Sequence, residues 1–253
     1  MGESYQLILA AFSAAAAGLV GAFALMKRTI LAGDVMSHIA LPGLGLAFLF
    51  NINPLIGGAA TLFLGIILIW KLEGETGLTT EVAIGVIFAS AVAIGALITP
   101  REDLVEALFG GFGGLSINSF ILGMLLVLIV IYFLWKLRHK LVLSLFSREL
   151  ASATKVEVSR LNLYFLLIFG LAIMLGLRFL GAILVGSLII IPAAAAKQLT
   201  HTLKNFLVAS AGLSVLSVVG GYLTANAYQI SAGPTIVVVS AAVFALSLLK
   251  KKK

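Results

Sequence analysis

The sequence predicts an all-α fold, a polytopic transmembrane helical bundle with eight or nine spans. Of the 253 residues, 61% are hydrophobic and 11% are charged, whereas soluble domains contain about half apolar and a quarter charged residues. The apolar residues form runs of 16 to 20, close to the roughly 20 that cross the ~30 Å hydrocarbon core as a helix. Because these runs fill the chain, we expect residues 1–253 to form a single transmembrane domain.

Nine apolar runs are candidate spans, and polar or turn-forming residues separate them. They are residues 7–26, 31–50, 54–70, 82–99, 117–135, 161–177, 179–196, 206–223 and 234–249. The first run is interpreted as a retained span, because Lys27 and Arg28 follow it, whereas the basic residues of a signal peptide precede its apolar segment.

The placement of charge predicts the orientation of the spans. If the spans alternate from an external N-terminus, the C-terminus lies in the cytoplasm. All of the 17 basic residues except Arg101 and Arg178 then lie on the cytoplasmic side. Cytoplasmic loops of membrane proteins carry such an excess of lysine and arginine. The formal charge of +7 is therefore interpreted as contact with the lipid membrane and not with nucleic acid.

Two connections are long enough to form structure of their own. The outer one, residues 99–116, contains a short apolar segment followed by glycines, which fits a short interfacial or re-entrant helix and a flexible surface loop about equally well. In the cytoplasmic one, residues 136–160, Ser147 can cap a short exposed helix that runs through Ala151. That helix suits contact with a soluble partner, although an ordinary basic cytoplasmic loop has the same composition.

Asp34 and His38 are the candidate metal-binding residues. An ionisable residue within a span costs about 2.5 to 3.5 kcal/mol on insertion scales and is therefore a functional candidate. Their spacing of four residues puts both side chains on one helix face, and a carboxylate with an imidazole suits zinc, manganese or iron. In the competing interpretation, Asp34 only caps a helix that begins near Val35, and a neighbouring carbonyl satisfies His38.

The residues that follow add to this candidate site. Pro42 has no amide hydrogen, so the carbonyl oxygen of His38 is free to face an ion or water, and Gly43 allows close backbone approach. Two side chains are too few for a closed metal site, and a two-fold dimer would bring two aspartates and two histidines together. The sequence is compatible with Asp34 at mid-membrane and with Asp34 at the cytoplasmic surface.

A second unusual stretch, residues 181–196, contains small residues and no titratable side chain apart from its flanks. Gly181 and Gly186 allow tight helix packing, and Pro192 introduces a bend. We interpret this stretch as a packing element that is able to move.

An enzyme is not indicated. The chain contains no cysteine, no glycine-rich phosphate loop and no histidine-glutamate zinc signature. We therefore predict no permanently bound cofactor, and we expect any ATP to be hydrolysed by another chain.

Several stretches together resemble the membrane permeases of ATP-binding-cassette importers for zinc, manganese and iron. They are Gly-Asp-Val-Met-Ser-His-Ile-Ala-Leu-Pro-Gly at residues 33–43, Asp-Leu-Val-Glu-Ala-Leu-Phe-Gly at 103–110, Ser-Leu-Ile-Ile-Ile-Pro-Ala-Ala at 187–194 and Ala-Gly-Pro-Thr at 232–235. The order and spacing of these stretches fit along nearly the whole chain.

The resemblance implies a multi-pass permease in the plasma membrane of a prokaryote, paired with a second copy or a related permease. Two cytoplasmic ATP-binding subunits would drive it, and an extracytoplasmic metal-binding protein would deliver the metal. The resemblance also supports Asp34 and His38 as ligands of the transported metal. The competing interpretations are an ATP-independent secondary transporter or channel, and a structural scaffold.

The resemblance further implies an ATPase-contacting segment within residues 136–160. Its expected contact residues are Ser147, Glu149, Leu150, Ala151 and Arg160. Arg148 stands where the family commonly has proline and Lys155 where it usually has a glycine turn, so the shape of this segment differs from the family pattern.

Overall fold

The computed structural model describes residues 2–98, 116–146, 157–180 and 182–249. Within these ranges the chain forms ten α-helices and no strand. They are α1 (Gly2–Met26), α2 (Ala32–His38), α3 (Leu41–Leu49), α4 (Pro54–Thr76), α5 (Thr80–Ile98), α6 (Ile117–Phe146), α7 (Val158–Leu180), α8 (Ala182–Leu199), α9 (Leu203–Tyr228) and α10 (Ala232–Leu248).

The helices correspond in order to the predicted apolar runs. Seven segments of the described ranges are long and apolar enough to cross a membrane when α2 and α3 are taken together, and α8 and α10 contribute two shorter apolar helices. The polytopic helical bundle that the sequence predicts is thereby confirmed.

Two helices continue well past the apolar runs that predicted them. The run 54–70 belongs to α4, which ends at Thr76 before Gly77 in the left-handed conformation (φ 69°). The run 117–135 belongs to α6, which continues to Phe146. Lysine, arginine and glutamate end a hydrophobic run but are good helix formers, so the first part of the predicted cytoplasmic loop is helical.

The second apolar run, predicted as a span over residues 31–50, is found as one candidate span over Ala32–Leu49, and it consists of two helices, α2 and α3. The amides of Ile39 and Ala40 bond three residues back, to the carbonyls of Met36 (3.1 Å) and Ser37 (3.4 Å). Pro42, which lacks an amide hydrogen, lies in the first turn of α3. In addition, Thr61 of α4 donates a hydrogen bond to the Ala40 carbonyl at 3.3 Å, which helps to hold the backbone at the break.

The centre of the bundle is formed by α1, α8 and α9, with α10 against α8 and α9. Glycines bring their backbones together: a side chain at Gly21 would overlap the carbonyl of Ile189, and one at Gly18 would overlap that of Ser210. Ser210 also donates a 2.6 Å hydrogen bond to the Gly18 carbonyl. Small residues thus permit the close helix contacts that stabilise a bundle in lipid, where the hydrophobic effect does not drive helices together.

One end of the bundle carries an open depression of about 1180 Å³. It is lined by the residues that directly follow α1, by the last residues of α4 and α6, and by residues at the start of α5 and α7; they include Lys27, Glu73, Glu81, Ser144 and Glu157. These five helix ends therefore lie together, as the alternating order of the spans requires.

Candidate functional site

The outward face of α2 carries the candidate metal ligands. Leu31 and Asp34 are exposed and His38 is half-buried, whereas Gly33 and Met36 on the opposite face are buried in the bundle. Asp34 and His38 therefore share one face, as their spacing predicts. In a membrane span, this face would hold a carboxylate and an imidazole toward whatever lies outside the chain.

Hydrogen bonds determine which nitrogen of His38 is available to a metal. Nδ1 of His38 lies 2.9 Å from the carbonyl oxygen of Asp34. A carbonyl only accepts, so Nδ1 carries the hydrogen and Nε2 keeps its lone pair. Ser37 donates to the same carbonyl at 2.6 Å and lies 3.3 Å from Nδ1. The Phe88 ring of α5 stands edge-on to the imidazole, with centroids 5.9 Å apart, so the ring is held with Nε2 free for a ligand.

The Asp34 carboxylate packs against α8. A Cβ built on Gly186 would lie 2.8 Å from Oδ1 of Asp34, so the absence of a side chain at Gly186 makes room for the carboxylate. Among the residues that the structure describes, no donor or cation pairs with the Asp34 side chain. The carboxylate is therefore available to a cation.

The neighbours of α2 show where Asp34 lies along the length of the bundle. Gly33 packs against the side chain of Ile189, whose carbonyl packs against Gly21, about 8 Å before the end of α1 at a rise of 1.5 Å per residue. Gly186 is by the same measure about 20 Å from the Leu199 end of α8. Asp34 is thus placed away from the bundle end at which α1 stops.

The interpretation of Asp34 as a helix cap does not fit this geometry. α2 begins at Ala32 with Leu31 as its N-cap, and no side chain caps it, so Asp34 lies within the first turn. A carbonyl does bond His38, as that interpretation also expected, but the bond uses only Nδ1 of the ring.

The prolines and glycines that were predicted to bend helices or to allow close backbone approach have different surroundings. Pro42 is buried in the first turn of α3, and no amide in the described ranges donates to the His38 carbonyl. Gly43 packs against Gly57 of α4 and so joins two helices. Pro192 lies inside α8, which continues through it. Gly181 lies outside the described residues.

Most of the predicted ATPase-contact residues, Ser147, Glu149, Leu150 and Ala151, also lie outside the described residues. Arg160 is described: it lies in the first turn of α7, and its Nε forms a 2.6 Å ion pair with Glu157, which directly precedes that helix; both side chains are exposed. This turn borders the depression at the bundle end.

Three features of the site region were not predicted from sequence. Ser37 and Phe88 contact His38, and Asn162 of α7 joins two other helices. It accepts a 2.7 Å hydrogen bond from Lys27 and donates one of 2.7 Å to Glu73. Ser37 is signalled only by its position beside His38, and the contacts of Phe88 and Asn162 have no local sequence signal.

A single chain supplies few metal ligands. In the described part, no group of three or more histidine, cysteine, aspartate or glutamate side chains is arranged to hold a metal ion. Asp34, the Nε2 atom of His38 and the His38 carbonyl make an incomplete donor set. Such a set can pass an ion on but needs further ligands to close around it.

Comparison with known proteins covers almost the whole chain. A model of the ABC 3 transport family matches residues 4–251. The chain is 31% identical over 243 residues to the high-affinity zinc uptake system membrane protein ZnuB of Haemophilus influenzae, covering 92% of each protein. It is 31% identical over 248 residues to the manganese import system permease protein ScaB of Streptococcus gordonii, covering 95% of this chain and 88% of ScaB.

The fold is also found among solved structures. PsaBC from Streptococcus pneumoniae, solved in complex with Fab, matches with a TM-score of 0.83 and 26% sequence identity, covering 97% of this chain and 90% of that one.

Proposed function

The chain belongs to the ABC 3 transport family, and we propose that it is the permease subunit of an ATP-driven importer that moves a divalent transition metal into the cytoplasm. Its apolar helices and its bacterial relatives identify it as a multi-pass protein of the plasma membrane. The observation that carries the proposal is the pair of available donors on α2, the Asp34 carboxylate and Nε2 of His38.

The donors suit a transported ion. Carboxylate and imidazole ligands accept manganese, zinc and iron, whereas magnesium and calcium prefer oxygen alone. The His38 carbonyl, which Pro42 leaves without a helical partner, adds a third donor on the same segment. The ion is substrate here, so an incomplete and readily exchanged set of ligands serves its release.

A second copy of the chain would complete the site. The exposed face of α2 bears Asp34 beside Leu31, which is 68% exposed, and a carboxylate facing lipid is costly. Around a two-fold axis, two such faces would bring two aspartates and two histidines near one ion and remove them from lipid. We therefore place the transport site between two permeases.

Energy and delivery come from other proteins in this proposal. Cytoplasmic ATP-binding subunits would contact the loop of residues 136–160. Its described residue Arg160 lies in the first turn of α7, which borders the depression of about 1180 Å³ between the helix ends. An extracytoplasmic metal-binding protein would present the ion to the opposite face. The chain thus acts as a conduit and carries no catalytic residue.

The test is metal accumulation in a strain that depends on the complete transporter. We expect uptake of manganese, zinc or iron, each assayed separately, to be lost in Asp34→Asn and His38→Gln while both proteins still insert and bind the ATPase. His201→Gln is the matched control, because His201 is exposed in the turn between α8 and α9. Normal uptake in both site variants would exclude this site, and uptake without the ATPase would favour an ion-coupled transporter.

The ATPase contact is tested separately. Replacing Glu149 and Leu150 with lysine is expected to prevent co-purification of the ATPase, because the change reverses one charge and adds another in the contact segment. A complex retained at normal yield would show that the contact lies elsewhere in the chain.

A further inference from the structure

The longest helix reaches beyond the membrane core. α6 has 30 residues and is therefore about 45 Å long, against a hydrocarbon core of ~30 Å. Its apolar part, residues 117–135, spans about 28 Å and exposes Ile121, Leu125 and Leu128 on one face. Such an apolar exposed face suits contact with lipid, and the helix continues past the length of the core to Phe146.

Aromatic and basic side chains lie together where α6 leaves the core. The Arg138 guanidinium carbon is 3.7 Å from the centroid of the Trp135 ring, and Nζ of Lys136 is 5.6 Å from that of Tyr132. Arg138 also donates a 3.1 Å hydrogen bond from Nε to Nε2 of His139. We refer to Tyr132, Trp135, Lys136, Arg138 and His139 as the aromatic-cationic cluster.

The positive charge of the cluster is not balanced by nearby carboxylates. α6 contains no aspartate or glutamate. The ion pairs in the described parts of the chain are Lys71 with Glu75 and Arg160 with Glu157, and neither involves Lys136 or Arg138. The aromatic rings therefore position cations that no carboxylate of the described residues pairs with.

We propose that the aromatic-cationic cluster binds the phosphate headgroups of anionic phospholipids in the leaflet where α6 leaves the membrane. The exposed face of α6 passes from aliphatic to aromatic to basic side chains, which is the sequence of environments from bilayer core through interface to headgroups. Arginine presents a fork of donors that suits phosphate, and its stacking on Trp135 restricts where that fork points. This proposal is independent of the transported metal.

A lipid is favoured over a protein as the occupant because the apolar exposed face of α6 leads without a break to the aromatic-cationic cluster. Ile121, Leu125, Leu128 and Tyr132 follow one another along the face that leads to the cluster, and all are at least half exposed. Lipid acyl chains that cover Ile121, Leu125 and Leu128 place their own headgroups beside the cluster, so no additional binding partner is needed. The occupant is therefore part of the same leaflet that solvates the helix.

Tryptophan fluorescence provides a direct test, because Trp70 and Trp135 are the two tryptophans of the chain. The full chain with Trp70→Phe retains only Trp135 and is reconstituted with dibrominated phosphatidylglycerol or dibrominated phosphatidylcholine, whose bromines quench a tryptophan in contact with lipid. We expect half-maximal quenching at a roughly twofold to fivefold lower mole fraction of the anionic lipid. The difference should shrink at high salt, which screens exposed charges.

Charge variants identify the cluster as the origin of the preference. Lys136→Gln combined with Arg138→Gln should make the two lipids equivalent, whereas Lys197→Gln combined with Lys204→Gln, on α8 and α9, should leave the preference intact. Equal quenching of the parent by both lipids, a preference that survives in the cluster variant, or no quenching by either lipid would overturn the proposal. If the cluster variant fails to reconstitute, a parent preference that is insensitive to salt would overturn it as well.

Discussion

Gly186 of α8 lies directly against Asp34 of α2: a Cβ on Gly186 would be 2.8 Å from the Oδ1 atom of Asp34 and 2.9 Å from its Cα. The two residues are far apart in the sequence, yet the missing side chain of one makes room for the carboxylate of the other. The contact ties the stretch that sequence analysis interpreted as packing to the candidate metal ligand.

We predict that Gly186→Ala strongly reduces metal uptake, because α8 and α2 must move apart or Asp34 must turn away, and ligand displacements of about 1 Å can cost a hundredfold in activity. Initial uptake rates, normalised to permease in the membrane, measure the effect. Gly212→Ala is the matched control, since a Cβ there meets no atom within 4 Å. Uptake equal to that of the parent in Gly186→Ala would argue against a functional contact.

We predict that Ser37→Ala raises the metal concentration for half-maximal uptake about tenfold to a hundredfold, the usual effect of removing a group that orients a ligand. The change removes the hydroxyl that lies 3.3 Å from Nδ1 of His38 and bonds the Asp34 carbonyl. Ser37→Thr should recover the parent value. Ser187→Ala removes a comparable bond, from its hydroxyl to the Leu184 carbonyl at 2.8 Å, and should have no effect. An unchanged concentration in Ser37→Ala would limit this hydroxyl to a structural role.

We predict that Asn162→Leu lowers the free energy of unfolding by about 1 to 3 kcal/mol, because the side chain is buried and bonds charged groups on two other helices. Thermal unfolding in detergent, followed by circular dichroism, gives the change in Tm. Asn205→Leu, at an exposed position of α9, is expected to leave Tm nearly unchanged. Equal Tm values for the parent and Asn162→Leu would mean that the bridge does not stabilise the bundle.

We predict that Arg28→Gly stabilises the protein by about 0.5 to 1 kcal/mol, because Arg28 adopts φ 61°, a conformation in which a side chain is unfavourable. Arg28 ends α1 in a Schellman motif, with Thr29 bonded to the Ala24 carbonyl at 2.9 Å and Arg28 to that of Leu25 at 3.2 Å. The same unfolding assay measures the gain.

Gln229→Gly, at φ 55°, should also stabilise the protein, whereas Lys204→Gly inside α9 should destabilise it. A fall in Tm for Arg28→Gly would show that the arginine side chain contributes more than its backbone costs.

Local features of the site could be predicted because they depend on near neighbours in the chain. The common face of Asp34 and His38 follows from helical geometry, and the lost bond to the His38 carbonyl follows from the chemistry of Pro42. The span predicted over residues 31–50 is found over Ala32–Leu49. Its division into two helices was not predicted, however, because hydropathy does not register a change of hydrogen-bond pattern. The 3.3 Å bond from Thr61 to Ala40, which accompanies that break, comes from another helix.

The sequence by itself determined that the protein is a helical membrane bundle and that its only carboxylate within a predicted span is followed one turn later by a histidine. These properties follow from transfer of side chains and peptide groups out of water and from the helical repeat, which act within each segment. Only the tertiary structure decided that Gly186 faces Asp34, that Phe88 holds the His38 ring and that Asn162 joins Lys27 to Glu73. Such contacts depend on how the helices pack against one another, and that packing is set by the shapes of whole helix surfaces.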